Sequence, residues 1–269
     1  MGYQHLEIET EGHVATLWLN RPEKRNAFSE DMWTDIPRAM ADLIADATVR
    51  VIVVAGRGTT FCVGIDINML AGLQPTGDSQ AEANLNLYDT IRRLQKTNSV
   101  FARSAKPVIA AVHGYCLGQG VSLISACDIR LASADASFSI RETRLGIVAD
   151  VGALQRLPGI VGAGHLAELA FTGKDIDAAR AKDIGLVNDV YPDQDTLMKA
   201  TYELAAEIAA NSPLAVSGVK KILAANDGRT VDEALDYVAQ RNSSFLMSND
   251  LMEAISAFME KREPDFKGN

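Results

Sequence analysis

Residues 51–55 (VIVVA) and 107–112 (PVIAAV) are apolar at every position, and the first run is β-branched in four of five places. The first is closed by Gly56-Arg57-Gly58, and both read as buried strands. A strand that is apolar on both sides needs cover on both faces, as in a parallel sheet between layers. Residues 81–102 lie between them and place Leu85, Tyr88, Ile91 and Leu94 at helical spacing. Buried strand, helix, buried strand predicts an α/β chain with parallel pairing and right-handed crossovers.

Other segments fit around this unit. Residues 6–10 and 14–19 alternate across Glu11-Gly12-His13 and read as a hairpin. Ser29 stands as N-cap to a helix carrying Met32, Ile36, Met40, Leu43 and Ile44. A loop is expected at 75–77, a helix leaving a glycine loop at 118–126, and short strands at 129–131 and 137–140. From about Gly162 the pattern becomes helix after helix (163–171, 178–184, 196–210, 213–225, 231–248 and 251–262), interrupted by a strand at 186–190. The expected organisation is a core over 1–195 and a C-terminal helical region over 196–269.

Composition narrows the class. With 269 residues, 47% of them hydrophobic, the chain can bury a large core. Its net charge of −9 argues against a nucleic-acid partner. No apolar stretch has the roughly eighteen residues of a membrane span, and the start MGYQHLEIET lacks a basic, apolar signal. A cytoplasmic, membrane-free protein is expected. Leu6 stands where a myristoylation signal has Ser or Thr. Cys62, Cys116 and Cys127 form no CxxC and sit in apolar contexts, so reduced core thiols are expected. The Lys and Arg clusters, Lys220-Lys221 among them, read as solvated faces.

Residues 138–156 (FSIRETRLGIVADVGALQR) hold two acids, Glu142 and Asp150, in apolar, glycine-dotted surroundings. An ionised carboxylate loses hydration there and needs a partner or a task. Proton transfer at carbon is one task. The alternatives are Asp150 as N-cap of a helix over 151–157, and Glu142 paired with Arg144 or Arg156. Gly118-Gln119-Gly120 is a weak match to a dinucleotide loop, because Leu123 occupies the third glycine position. No Walker A, HExxH or GxSxG sequence occurs, and the four histidines are scattered. His113 reads as structural, and no metal site is expected.

Six blocks, in order, resemble the enoyl-CoA hydratase/isomerase (crotonase) superfamily. They are residues 20–27 (NRPEKRNA), 58–66 (GTTFCVGID), 106–120 (KPVIAAVHGYCLGQG), 126–130 (ACDIR), 138–159 and 261–266 (KREPDF). The resemblance implies a spiral of β-β-α turns followed by a C-terminal helical trimerisation region, giving a homotrimer or a hexamer. It implies acyl-CoA thioester substrates, with CoA as part of the substrate and no separate cofactor. The backbone N–H groups of Val63 and Gln119 match the family's oxyanion hole. Such donors stabilise the enolate formed when a proton leaves the carbon next to a thioester. Lys24, Arg25, Ala27, Asp66, Ile67, Ser122 and Phe266 match substrate-lining positions, and Asp66 has a helix N-cap as its alternative role.

Within the superfamily, residues 142–158 most resemble the Δ3,5-Δ2,4-dienoyl-CoA isomerases, with Glu142 serving C2 and Asp150 serving C6. Ser122 stands where those isomerases carry a third acid and hydratases a glutamate. Hydration needs two carboxylates around one water, and a hydroxyl cannot replace one as base. The other readings are an enoyl-CoA hydratase, a Δ3-Δ2-enoyl-CoA isomerase, or a catalytically weak acyl-CoA-binding protein.

Overall fold

The computed structural model describes residues 2–72 and 76–269; of the expected 75–77 loop, Pro75 lies outside the described residues. The hairpin forms as expected. β1 (Leu6–Glu11) and β2 (Val14–Leu19) pair antiparallel, with Leu6 opposite Leu19. The chain then runs through α1 (Glu30–Ala45), β3 (Val51–Gly56), α2 (Ile67–Gly72), α3 (Gln80–Arg103), β4 (Val108–Val112), β5 (Tyr115–Leu117) and α4 (Gln119–Ile124). It continues through β6 (Ile129–Ser133), β7 (Ser137–Ser139), α5 (Ala153–Arg156), α6 (Pro158–Val161), α7 (Ala163–Thr172), β8 (Ile176–Asp177), α8 (Ala178–Asp183) and β9 (Asp189–Tyr191). Four helices close it: α9 (Gln194–Ala210), α10 (Pro213–Ala225), α11 (Val231–Ser243) and α12 (Asn249–Glu260).

Six strands form one sheet in the order β1-β2-β3-β4-β6-β9, and β5-β7-β8 form a second. From β2 to β9 the large sheet is parallel. Successive turns place a strand in each sheet before the next helix: β4 then β5 and α4, β6 then β7 and the α5–α7 helices. Cys62, after β3, bridges to Cys116 on β5 and extends the small sheet by one position. This is the β-β-α spiral expected from the resemblance.

Burial on both faces explains the apolar runs. Val51, Val53 and Ala55 pack with Leu197, Ala205 and Ala209 of α9. The alternate residues Ile52 and Val54 join Ile36 and Met40 of α1 and Phe101 of α3. Each of the Val, Ile, Leu, Met and Phe side chains contributes about 1.5–3 kcal/mol of burial. α1 starts where expected, the Ser29 hydroxyl accepting from the Met32 amide at 3.4 Å.

Three expectations need correction. The strand expected at 186–190 begins only at Asp189, because Leu186 and Val187 turn back on α8, both amides reaching the Ala181 carbonyl. The helix expected over 231–248 ends at Ser243, and Ser248 instead caps α12 by accepting from Leu251 at 3.3 Å. Lys220 is not a solvated cation. It is buried, and its Nζ donates to the carbonyls of Phe101 and Lys106 and to Asp128 Oδ2 at 2.7 Å, pinning α10 to the core. Beyond that pin the trailing helices leave Leu223, Val231, Met252, Phe258 and Met259 exposed. No helix among the described residues is long and apolar enough to cross a membrane.

Candidate active site

The segments that follow β2, β3, β5 and β7 meet at a cleft of about 660 Å³. It brings together Lys24, Arg25, Ala27, Val63, Asp66, Ile67, Gln119 and Glu142, eight of the residues expected at the site.

The first segment is held by a buried amide. Arg25 and Asn26 adopt left-handed φ of 51° and 55°, a conformation that Asn tolerates better than most residues. The Asn26 side chain accepts from the Arg21 amide at 2.8 Å and donates to the carbonyls of Arg57 (3.0 Å) and Thr60 (2.7 Å). This ties the loop to β3 and leaves Lys24 and Arg25 exposed. Asp66 is already engaged: it pairs with Arg21 at 2.7 Å and accepts from the Asn68 amide at 2.9 Å at the start of α2. The Arg21 hydrogen bond, first among the causes, holds its carboxyl below the usual range.

Backbone donors face the cleft, with one departure from expectation. The Val63 N–H donates to the Arg25 carbonyl at 3.2 Å and is therefore occupied. The Ile65 N–H, two residues on, has no acceptor among the described residues; the neighbouring amides of Phe28 and Asp66 carry the bridge between Phe28 and Ile65. The Gln119 N–H is likewise unengaged, opening α4 directly after Gly118. A Cβ on Gly64 would stand 4.0 Å from the Gln119 nitrogen, so the two donor segments run side by side. Gly118 needs its φ of +51°, whereas Gln119 does not adopt positive φ, so a side chain fits there.

Glu142 lies against this corner. A Cβ on Gly118 would meet its carboxylate oxygens at 3.5 and 3.8 Å. Neither alternative partner is engaged: no ion pair joins Glu142 to Arg144 or Arg156 among the described residues, and Oε2 is buried without a hydrogen-bond partner. Burial raises its pKa, and the Asp150 charge raises it further, which puts both acids within electrostatic reach. Asp150 is exposed and is not among the residues lining this cleft, yet the protein around its carboxylate raises its pKa by desolvation. It caps no helix, because α5 begins at Ala153 behind Gly152, without a side-chain cap. α3 holds the Asp150 segment instead. Gln95 Nε2 donates to the Asp150 carbonyl at 2.7 Å, and Asn98 Nδ2 to that of Val151 at 2.9 Å.

Besides Asp150, two more expected residues do not line the cleft. Ser122 is fully buried on α4, its hydroxyl without a partner among the described residues. Phe266 borders a separate crevice beside the β1–β2 hairpin, where its carbonyl accepts from Arg50 at 2.6 Å. His113 is buried, with Nε2 2.9 Å from the Gly58 carbonyl. The three cysteines are free and buried, and desolvation pushes the thiols of Cys62 and Cys127 up to about 12. No cluster of three metal-ligating side chains occurs among the described residues. Sequence reasoning missed Ile65, Gln95 and Asn98. A backbone donor leaves no side-chain signature, and the other two act through contacts distant in sequence.

An α/β spiral with two free amides beside a half-buried acid defines a class, and comparison with known proteins agrees. The chain belongs to the enoyl-CoA hydratase/isomerase family, whose model matches residues 9–269. Over 270 residues it is 45% identical to the mitochondrial Δ(3,5)-Δ(2,4)-dienoyl-CoA isomerase of Dictyostelium discoideum, covering 99% of this chain and 92% of that one. The peroxisomal Δ(3,5)-Δ(2,4)-dienoyl-CoA isomerase of Arabidopsis thaliana is 43% identical, with 98% and 97% covered. A crystal structure of enoyl-CoA hydratase from Bacillus anthracis superposes with a TM-score of 0.90 at 31% identity, covering 99% of this chain and all of that one. These names correct the expectation of a cytoplasmic protein, since the relatives are mitochondrial or peroxisomal. Compartment addresses are read by receptors, so the folded core carries no mark of them.

Proposed function

We propose that this protein converts 3,5-dienoyl-CoA thioesters to 2,4-dienoyl-CoA by moving a proton from C2 to C6. The observation that carries this reading is the Glu142 carboxylate, its Oε2 buried and without a partner among the described residues, packed against Gly118 just before the free Gln119 amide. Glu142 takes the C2 proton. The thioester oxygen gains charge and is met by the N–H groups of Gln119 and Ile65, worth roughly 3–4 kcal/mol per donor in such sites. Electron density spreads along the conjugated dienolate, Asp150 in its acid form gives a proton to C6, and proton exchange with solvent then returns Glu142 to carboxylate and Asp150 to acid. Ile65 replaces Val63 as the second donor in this reading, because the Val63 amide is occupied. Lys24 and Arg25, exposed at the mouth, suit the phosphates of CoA. Substrate and product are isomers, so the step needs no electron acceptor, and CoA enters only as part of the substrate.

Ser122 disfavours hydration. Its hydroxyl is buried and is no carboxylate, so a second base for water is missing on α4. Residues 1–195 act in this reading as the spiral core. Within 196–269, α9 packs on the sheet, and the exposed apolar residues of α10–α12 suit subunit contacts in a homotrimer or a dimer of trimers.

The test presents the purified protein with 3,5-dienoyl-CoA, trans-2-enoyl-CoA and 3-enoyl-CoA, following the gain of conjugated-thioester absorbance for the first and third and its loss on hydration of the second. Turnover of the dienoyl substrate well above the other two is expected. Preferential hydration of the 2-enoyl substrate would replace the isomerase reading, and tight binding without turnover of any would make the protein an acyl-CoA binder.

A further inference from the structure

The side chain of Gln119 has no part in the chemistry above, where only its backbone is used, yet it is a buried polar group. It reaches α3 and forms a reciprocal amide pair with Asn98. Gln119 Nε2 donates to Asn98 Oδ1 at 2.7 Å, and Asn98 Nδ2 donates to Gln119 Oε1 at 3.1 Å. Both residues are buried, Asn98 completely. The same Asn98 Nδ2 also donates to the Val151 carbonyl at 2.9 Å, one residue after Asp150. One turn earlier, Gln95 holds the Asp150 carbonyl at 2.7 Å.

We infer that Asn98 is a positioning residue joining the oxyanion-hole donor at Gln119 to the segment carrying Asp150, so that the two ends of the proton transfer keep a fixed spacing. The inference rests on the isomerase reading. Its physical basis is the cost of buried amides without partners. Each polar atom here is satisfied by the others, so none can shift alone without losing a hydrogen bond in a dry interior. α4 follows β5 and the Asp150 segment follows β7, neighbouring strands of the small sheet, and Asn98 on α3 hydrogen-bonds to both segments through one side chain. The side-chain amides of Gln119 and Asn98 supply no acid or base, so their contribution is to geometry, and small displacements at a reacting centre cost large factors in rate.

Three variants test this: Asn98→Ala, Gln119→Ala and the double substitution, each first checked for folded secondary structure and assembly. Each single change keeps the Gln119 N–H and both carboxylates. Dienoyl-CoA turnover is expected to fall about 10–100-fold in kcat in each, with KM changing much less. The double variant should lose no more than the worse single variant, as expected for residues acting as one unit. Additive losses, or a loss confined to KM, would overturn the strut.

A second readout needs no substrate. Backbone hydrogen exchange should speed up in both residues 117–124 and residues 148–157 in Asn98→Ala, and acceleration in only one segment would overturn the coupling. Should Asn98→Ala fail to fold, Gln119→Ala gives the same two readouts, because it removes the partner from the other side. A wild-type protein inactive on dienoyl-CoA would defeat the proposed function, while the exchange result would still decide the strut.

Discussion

Glu142→Gln is expected to lower dienoyl-CoA turnover by about 10²–10⁴-fold, the range by which a positioned acid–base group accelerates proton transfer. Glutamine keeps the shape and can donate a hydrogen bond, but it cannot take the C2 proton. Asp150→Asn is expected to fall by a similar factor, because reprotonation at C6 then lacks its donor. Both are measured by formation of the conjugated product under saturating substrate. Unchanged turnover in Asp150→Asn would end the two-carboxylate mechanism and leave Glu142 shuttling one proton alone.

The same Glu142 substitution should also make the protein harder to unfold at neutral pH. Burial, then the Asp150 charge, raises the folded-state pKa of Glu142 above its ordinary 4.5. The folded protein therefore binds this proton more tightly than the unfolded chain. The stability it contributes is fully present below about pH 4.5 and is lost as pH rises through the raised folded value. Glutamine stays neutral throughout and loses nothing over that window. Urea midpoints of wild type and Glu142→Gln should thus separate as pH rises from about 4.5 towards neutrality, with the variant higher. Parallel midpoints would mean that the Glu142 carboxylate is well solvated. Lost turnover with gained stability separates a catalytic group from a structural ion pair, whose removal would cost both.

Much of the core was legible because two-sided burial writes itself into strands: β3 and β4 are apolar throughout and could belong to little else. β5 and β8 were not, since three and two residues carry no periodicity and pair only because Cys62, β7 and the neighbouring turns bring them there. β9 was misplaced for a related reason. Leu186 and Val187 are apolar because they seal α8, and an apolar run does not say which element it seals. At the site, Glu142 stood out as an acid among aliphatic residues, and its unpaired burial explains why. Asp150 needed the family resemblance, because an acid before a glycine and a short helix looks like a cap. The Asn98–Gln119 pair was invisible, since two amides 21 residues apart announce nothing until α3 crosses α4.

The choice between Val63 and Ile65 leads to the second large effect. Ile65→Pro removes one N–H and is expected to lower kcat by about 10²–10³-fold, the usual loss for one oxyanion donor. No internal hydrogen bond of the described residues is given up, because that N–H has no acceptor. Ile65→Ala keeps the N–H and serves as the control for the lost side chain; it should retain most of the turnover. Val63→Pro should behave differently. It breaks the 3.2 Å bond to the Arg25 carbonyl, so it should loosen the 21–27 loop and raise KM for CoA substrates through Lys24 and Arg25. Circular dichroism establishes that each variant is folded before kinetics are compared. If Val63→Pro lost the larger factor in kcat with KM unchanged, and Ile65→Pro lost none, the donor would be Val63 and its bond to Arg25 would have to open when substrate binds.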